Sequence, residues 1–134
     1  MGLSAIVVIM AFEEQEMRDH KKLRAFELAD QLAILTYKQT ALLPKEELFG
    51  LVYQMRRAAV SVASNIVEGC SRSSTVEYLR FLGIAYGSAR ELEYQISIAE
   101  RLYSASASSE WSSLATEACK VLNGLIRSMR DRDS

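Results

Sequence analysis

The chain has 134 residues, a length that suits a single domain. Its composition, 49% hydrophobic and 25% charged, is typical of a globular protein with a buried core and excludes a disordered tail. The 16 Lys and Arg residues against 17 Asp and Glu give a net charge of -1, which excludes a global field that draws the protein to nucleic acid or an anionic membrane. Only one Pro and six Gly interrupt the chain, which favours an all-α fold.

Residues 1–20 lie outside the pattern that follows. Leu3–Phe12 is an apolar run that is too short to span a bilayer. No Lys or Arg precedes the run, and acidic residues occupy the place of a signal-peptide cleavage site. Only two cysteines are present, Cys70 after one predicted helix and Cys119 inside another, which indicates thiols in a reducing compartment and not a disulfide framework. These features predict a cytoplasmic protein with a peripheral N-terminal extension and no membrane contact.

The first helix is predicted from Lys22 to about Leu43, and Pro44 separates it from a second helix that runs to about Glu68. Gly69 is predicted to end the second helix as its C′ glycine. Apolar residues recur at three- and four-residue steps in both helices. The first stripe is Leu28, Leu32, Leu35 and Leu42, and the second is Leu48, Val52, Met55, Ala59, Val62 and Ile66.

A third, longer helix is predicted to begin at a capping box, Ser74-Thr-Val-Glu77. It carries a seven-residue repeat, which indicates long antiparallel packing. The repeat consists of Tyr78, Leu82, Ala85, Ala89, Leu92, Ile96, Ala99 and Tyr103. A second stripe beside it is predicted to contact the flank of the first helix or a neighbouring subunit. This stripe consists of Phe81, Ile84, Ser88, Glu91, Gln95, Ile98 and Leu102.

A fourth helix, capped by Ser108 or Ser109, completes the pattern. Its predicted apolar stripe is Trp111, Leu114, Ala118, Val121 and Leu125. Four helices joined by short turns predict an antiparallel up-down-up-down four-helix bundle over residues 21–130, followed by a tail at 131–134.

The segment Gln54–Gly69 resembles the signature of the 23S rRNA-intervening-sequence proteins, also called four-helix-bundle proteins. Lys22–Ala29, Glu77–Glu93 and Leu122–Arg127 resemble the opening, third and closing helices of that family. The resemblance implies a ring-forming homo-oligomer, with a pentamer as the expected ring, and a related group serves retroelement reverse transcriptases. The signature positions are Arg56, Arg57, Ser64, Asn65, Glu68 and Gly69. The chain departs from the pattern at Ala63, where Pro is usual, and at Cys70, where an aromatic residue often follows the Gly.

The two adjacent arginines of the signature point about 100 degrees apart on a helix, so they serve two faces. In a structural interpretation they pair with carboxylates such as Glu68, Glu77 or Glu91. In an alternative interpretation they contribute to a phosphate-binding surface, which ring assembly would concentrate into a basic band. Its candidate members are Arg56, Arg57, Arg72, Arg80, Arg90, Arg101, Lys120, Arg127, Arg130 and Arg132.

Motifs for catalysis are missing from the sequence. The one histidine, His20, lies in the N-terminal extension, and the chain has no Glu-x-x-His motif, zinc spacing or glycine-rich phosphate loop. Asn65 and Glu68 are interpreted as residues that tie neighbouring helical turns together. We therefore expect no enzyme activity, cofactor, metal or small-molecule substrate. The remaining hypotheses, in descending order, are a self-assembling scaffold for a protein partner, an RNA-binding or ribosome- or reverse-transcriptase-associated accessory protein, and a cryptic enzyme.

Overall fold

In the computed structural model of the chain, residues 4–10, 18–104 and 108–133 are described. This part of the chain contains helices and no strand, which confirms the all-α prediction. Its four long helices are α1 (Arg24–Thr40), α2 (Tyr53–Cys70), α3 (Thr75–Leu102) and α4 (Ser109–Asp133). Short 3-10 turns lie at His20–Lys22 and Lys45–Glu47, a π turn lies at Leu48–Val52, and residues 4–10 are helical.

The buried apolar side chains form two clusters, and each long helix contributes to both. One cluster joins the beginnings of α1 and α3 to the ends of α2 and α4, with Ala25, Ile66, Tyr78 and Leu122 among its members. The other joins the opposite ends of the same helices, with Leu32, Met55, Ile96 and Trp111 among its members. Consecutive helices therefore pass through the two clusters in opposite order, and α1 and α3 each contact both α2 and α4.

The predicted stripe of α1 is correct at its centre and wrong at its end. Leu28 and Leu32 are buried, but α1 ends at Thr40, and Leu42 is 62% exposed while Leu43 takes the buried place. Toward the end of α1, two threonines, Thr36 and Thr40, face the core. Trp111 Nε1 donates to Thr36 Oγ1 over 3.0 Å, and Thr40 Oγ1 donates to the Thr36 carbonyl over 2.7 Å. These bonds satisfy hydroxyls that would otherwise be costly to bury.

The seam of α2 is buried from Val52 to Ile66, as predicted, but Leu48 is exposed because the chain passes through a π turn there. The prediction that Gly69 ends the helix is also wrong. Gly69 is a buried residue within α2, and no glycine in the described ranges has a positive φ. A Cβ on Gly69 would lie 3.0 Å from Phe81 Cβ and 3.1 Å from Tyr78 Cδ1. The missing side chain thus permits α2 and α3 to approach closely.

The start and the main repeat of α3 are confirmed. Ser74 Oγ accepts a hydrogen bond from the Glu77 amide over 3.1 Å, and the repeat is buried from Tyr78 to Ala99. The second stripe contacts α2 at its middle, because Ser88 Oγ is 2.9 Å from Ser61 Oγ. The predicted contact with the flank of α1 is wrong at this point, and the alternative contact with a neighbouring subunit stays a prediction.

The cap of α4 is confirmed, because Ser108 Oγ accepts from the Trp111 amide over 3.3 Å. Two residues of the predicted face, Trp111 and Ala118, are buried as expected, whereas Leu114, Val121 and Leu125 are only partly buried and the next residue in each case takes the buried place. The buried face consists of Trp111, Ala115, Ala118, Cys119, Leu122, Ile126 and Met129. Among the described residues, no helix has the length and apolarity needed to cross a membrane.

Candidate interaction surface

Arg56 joins α2 to the end of α1. Its Nε donates to Thr40 Oγ1 over 2.9 Å and its Nη2 to the Tyr37 carbonyl over 3.3 Å, while its guanidinium lies 4.6 Å from the Tyr37 ring centroid. The contact places a cation at the C-terminal end of a helix, where the helix dipole favours it. The structural interpretation predicted a carboxylate partner for this residue. In the described structure, Arg56 instead contacts a hydroxyl, a carbonyl and an aromatic ring at the end of α1.

Arg57 faces the other neighbouring helix. Its Nη2 lies 3.3 Å from Glu91 Oε1, which also accepts from Gln95 Nε2 over 3.1 Å. This is the carboxylate contact that the structural interpretation expected. Both members of the ion pair are about half exposed, so the pair contributes at most about 1 kcal/mol to stability. The adjacent arginines therefore tie α2 to α1 on one side and to α3 on the other.

A pocket of about 470 Å³ opens where α1 ends and α2 begins. Its lining consists of Tyr37, Leu48, Phe49, Val52, Tyr53, Arg56 and Arg57, and we call it the Phe49 pocket. Phe49 is 91% exposed, because the π turn carries it away from the core. Gly50 within this turn has non-helical angles, φ -112° and ψ -106°, and π turns often mark functional sites. The result is an apolar, aromatic surface beside two arginines.

Ser64 and Asn65 lie about three helical turns beyond the start of α2, nearer its end. Asn65 Nδ2 donates to the Ser61 carbonyl over 2.8 Å and to Ser61 Oγ over 3.0 Å. Ser61 in turn meets Ser88 of α3, so Asn65 orients a hydroxyl that links two helices. Ser64 is exposed.

Two of the predicted phosphate-binding residues lie at the corner between α2 and α3. Arg72 pairs with Glu68, and Arg80 Nε lies 2.8 Å from Glu77 Oε2. The two guanidiniums lie 4.7 Å and 4.5 Å from the Phe81 ring centroid. Each arginine is thus already engaged with a carboxylate and an aromatic ring, which weakens their electrostatic attraction for a phosphate.

The partly buried Cys70 and the fully buried Tyr78 form a pair at the same corner. Cys70 Sγ donates to Tyr78 Oη over 3.8 Å, and Arg18 lies 4.9 Å from the Tyr78 ring centroid. Burial raises the pKa of Cys70, although the Tyr78 hydrogen bond opposes that shift. Burial also raises the pKa of Tyr78. A thiol held in its protonated form is a poor nucleophile, so the arrangement favours a structural role for Cys70.

The outward face of α3 is exposed and carries both small and apolar residues. Val76 is 73% exposed and Tyr94 is 62% exposed. Between them lie Gly83 and Gly87, and a Cβ built on either glycine would meet no neighbouring atom within 4 Å. Because these positions recur at seven- and four-residue steps, they form one stripe along the helix.

The outward face of α4 has the opposite character. Its described residues include no exposed large apolar side chain. Lys120, Arg127 and Arg130 are exposed there, and none of the ion pairs within the described ranges involves them. These three are predicted phosphate-binding residues that the structure leaves exposed.

Comparison with protein families finds one matching family model. The family model described as 23S rRNA-intervening sequence protein matches residues 21–124, most of the chain. The chain belongs to this family. The match begins after residues 4–10 and covers the signature segment, the Phe49 pocket and the outward face of α3. A comparison with curated proteins finds no match.

In this 23S rRNA-intervening sequence protein, four of the six signature residues, Arg56, Arg57, Asn65 and Gly69, support contacts between helices. Arg56 donates a hydrogen bond to Thr40 of α1, and Asn65 orients Ser61. Gly69 has no side chain, which allows α3 to approach α2 closely. The sequence pattern did not predict the exposed aromatic surface around Phe49 and Tyr53. The four-residue spacing of these two aromatic residues indicates that they share one helix face. The same spacing is typical of a buried face, so it does not show that both side chains are exposed beside the π turn.

Proposed function

We propose that this protein is a non-catalytic, antiparallel up-down-up-down four-helix bundle that assembles into a ring and serves as an interaction scaffold. The observation that carries the proposal is the uneven distribution of exposed apolar side chains. Among the described residues they lie on residues 6–10, on α1, α2 and α3 and on the connection between α1 and α2, and none lies on α4. An exposed apolar surface bounded by polar residues is typical of a protein interface.

The bundle arrangement is supported by the two core clusters. Each contains the beginnings of two helices and the ends of the other two, which is the pattern expected when consecutive helices alternate in direction. The connection between α2 and α3 is short, as antiparallel neighbours require.

Self-assembly is supported by the outward faces of α2 and α3. On α2, Tyr53, Val60 and Val67 are exposed at seven-residue spacing, the spacing at which one helix packs along another. On α3, each glycine costs about 0.5–1 kcal/mol relative to alanine in a helix interior, and the isolated chain gives Gly83 and Gly87 no packing contact that offsets this cost. Close approach of a helix from a second copy would provide one.

The polar face of α4 then remains on the outside of the assembly. A ring, with five copies as the family resemblance implies, would repeat this face around its circumference. We assign the protein to the cytoplasm, where free thiols such as Cys70 and Cys119 persist. The proposed scaffold role is the presentation of this repeated face to a protein partner.

Gly87→Glu tests the proposed interface, and Gly124→Glu is its matched control. Both glycines lie inside exposed helix faces with open space at the Cβ. We expect Gly87→Glu to shift sedimentation velocity toward the monomer, because it places a charge in the buried interface, and Gly124→Glu to leave the assembly intact. If neither variant changes the sedimentation of a wild-type oligomer, the assigned face is wrong.

RNA binding is a second candidate function, favoured by the accessibility of Lys120, Arg127 and Arg130. Titration of a fluorescent structured RNA at two salt concentrations tests it. A basic band predicts that affinity falls steeply as salt increases, and that Arg127→Ala weakens binding. The absence of binding at low salt would leave the protein-scaffold role as the better account.

A further inference from the structure

Residues 4–10, which we call the N-terminal segment, form an apolar helix without a covering partner. Ile6, Val7, Val8, Ile9 and Met10 are all exposed, with Val8 at 67%. A run of consecutive apolar residues is costly to leave in water on every side of a helix. We propose that the N-terminal segment of one copy docks into the Phe49 pocket of a second copy. This inference rests on the proposed self-assembly and identifies one of its contacts.

The pocket has the size and chemistry to receive aliphatic side chains. Its volume of about 470 Å³ lies within the roughly 300–1,000 Å³ of protein sites that enclose small apolar groups. Phe49, Tyr53 and Leu48 expose apolar surface toward it. Burial of such surface stabilises contact by about 25 cal/mol per Å². The N-terminal segment and the pocket are thus two exposed apolar surfaces that can cover each other.

Charge also matches across this contact. Arg56 lines the pocket, and its described partners are a hydroxyl, a carbonyl and an aromatic ring. No described carboxylate neutralises it. In the sequence, Glu13, Glu14 and Glu16 follow directly after the apolar run. A segment docked in the pocket therefore brings carboxylates near an uncompensated guanidinium.

Chain length favours a second copy over the same chain. Arg18 donates to the Arg72 carbonyl, beyond the end of α2, whereas the pocket lies at the start of α2. Between these ends, Tyr53–Cys70 spans about 26 Å at about 1.5 Å per residue. The eight residues from Met10 to Arg18 span at most about 26–29 Å. Docking within one chain would demand almost full extension, whereas docking between chains has no such requirement.

The pocket lies inside the family match at residues 21–124, whereas the N-terminal segment lies outside it. The proposal therefore adds an exchanged arm to the helix-to-helix interface assigned above.

Photo-cross-linking in the full chain tests the docking. Phe49→benzoylphenylalanine reports on the pocket, and Val76→benzoylphenylalanine reports on the proposed α3 interface. Isotopically light and heavy chains are refolded together, irradiated and digested, and cross-linked peptides are identified by mass spectrometry. We expect the Phe49 probe to capture peptides containing residues 4–10, including light–heavy pairs. We expect the Val76 probe to capture other helices in light–heavy pairs and not residues 4–10.

The outcomes separate the two proposals. Light–heavy products from the Val76 probe, with no residues 4–10 captured by the Phe49 probe, would overturn the docking and leave the assembly. Capture of residues 4–10 only within the same chain would also overturn it. The absence of light–heavy products from both probes would overturn assembly and docking together. Ile9→Asp should reduce the Phe49 cross-link by about tenfold or more, because an unpaired carboxylate is costly in an apolar pocket, and should leave the Val76 products unchanged.

Discussion

The buried glycine of the signature segment offers a quantitative test of the packing between α2 and α3. In Gly69→Ala, the new Cβ would lie 3.0 Å from Phe81 Cβ and 3.1 Å from Tyr78 Cδ1. Phe81 Cβ is bonded to the backbone of α3, so a rotamer change cannot move it away. Relief requires the two helices to separate.

The magnitude follows from two opposing effects. Overpacking a core by one methyl costs about 1–3 kcal/mol, whereas replacing glycine by alanine in a helix gains about 0.5–1 kcal/mol. The gain is at the low end here, since Gly69 lies next to the last residue of α2. We expect the free energy of unfolding to fall by about 0.5–2.5 kcal/mol.

Urea unfolding followed by circular dichroism, at one protein concentration, measures this change. Gly124→Ala is the control, because Gly124 lies inside α4 with no atom within 4 Å of a Cβ. It should raise the free energy of unfolding by about 0.5–1 kcal/mol. If Gly69→Ala stabilises the protein as Gly124→Ala does, close helix approach is not the reason for glycine at that position.

Three further predictions concern bonds and titration in the described helices. Trp111→Phe removes the 3.0 Å bond to Thr36 and should lower the free energy of unfolding by about 1–3 kcal/mol; an unchanged urea midpoint would contradict the role given to that bond. Ser74→Ala removes the cap on the Glu77 amide and should lower the thermal midpoint, with a cost of about 1 kcal/mol, whereas an equal midpoint would refute the cap. Burial raises the pKa of Cys119 from 9.0 to about 11, so the unfolded chain loses this proton first and stability falls as pH rises from 9 to 11. Cys119→Ala should make that fall shallower in urea unfolding across this range, and an identical slope would disprove the assignment.

Sequence periodicity correctly predicted the buried face of a helix where a long apolar repeat is compatible with only one face. The repeat from Tyr78 to Ala99 is buried as expected, because α3 is long and each position has a single favourable face. The prediction failed where a polar residue replaces an apolar one. Thr36 and Thr40 occupy the core in α1, and only the tertiary bonds to Trp111 and within the helix explain their burial.

The candidate surfaces were less predictable than the core. The pairing of Arg57 with Glu91 follows from their residue types, but the contact of Arg56 with Thr40 depends on where α1 ends. Gly69 was predicted to end α2 because glycine is common at helix ends. In the structure, glycine is favoured at this position because Phe81 and Tyr78 of α3 leave no room for a Cβ. The exposure of Phe49 depends on a π turn, which no hydrophobic pattern reveals.

Self-assembly through the apolar faces of α2 and α3 is tested most directly by light scattering coupled to size-exclusion chromatography of the full chain. One copy has a mass of 15.0 kDa. We predict a single species with the mass of two or more copies, and the family resemblance implies five. A mass of one copy at every concentration tested would contradict the proposed assembly.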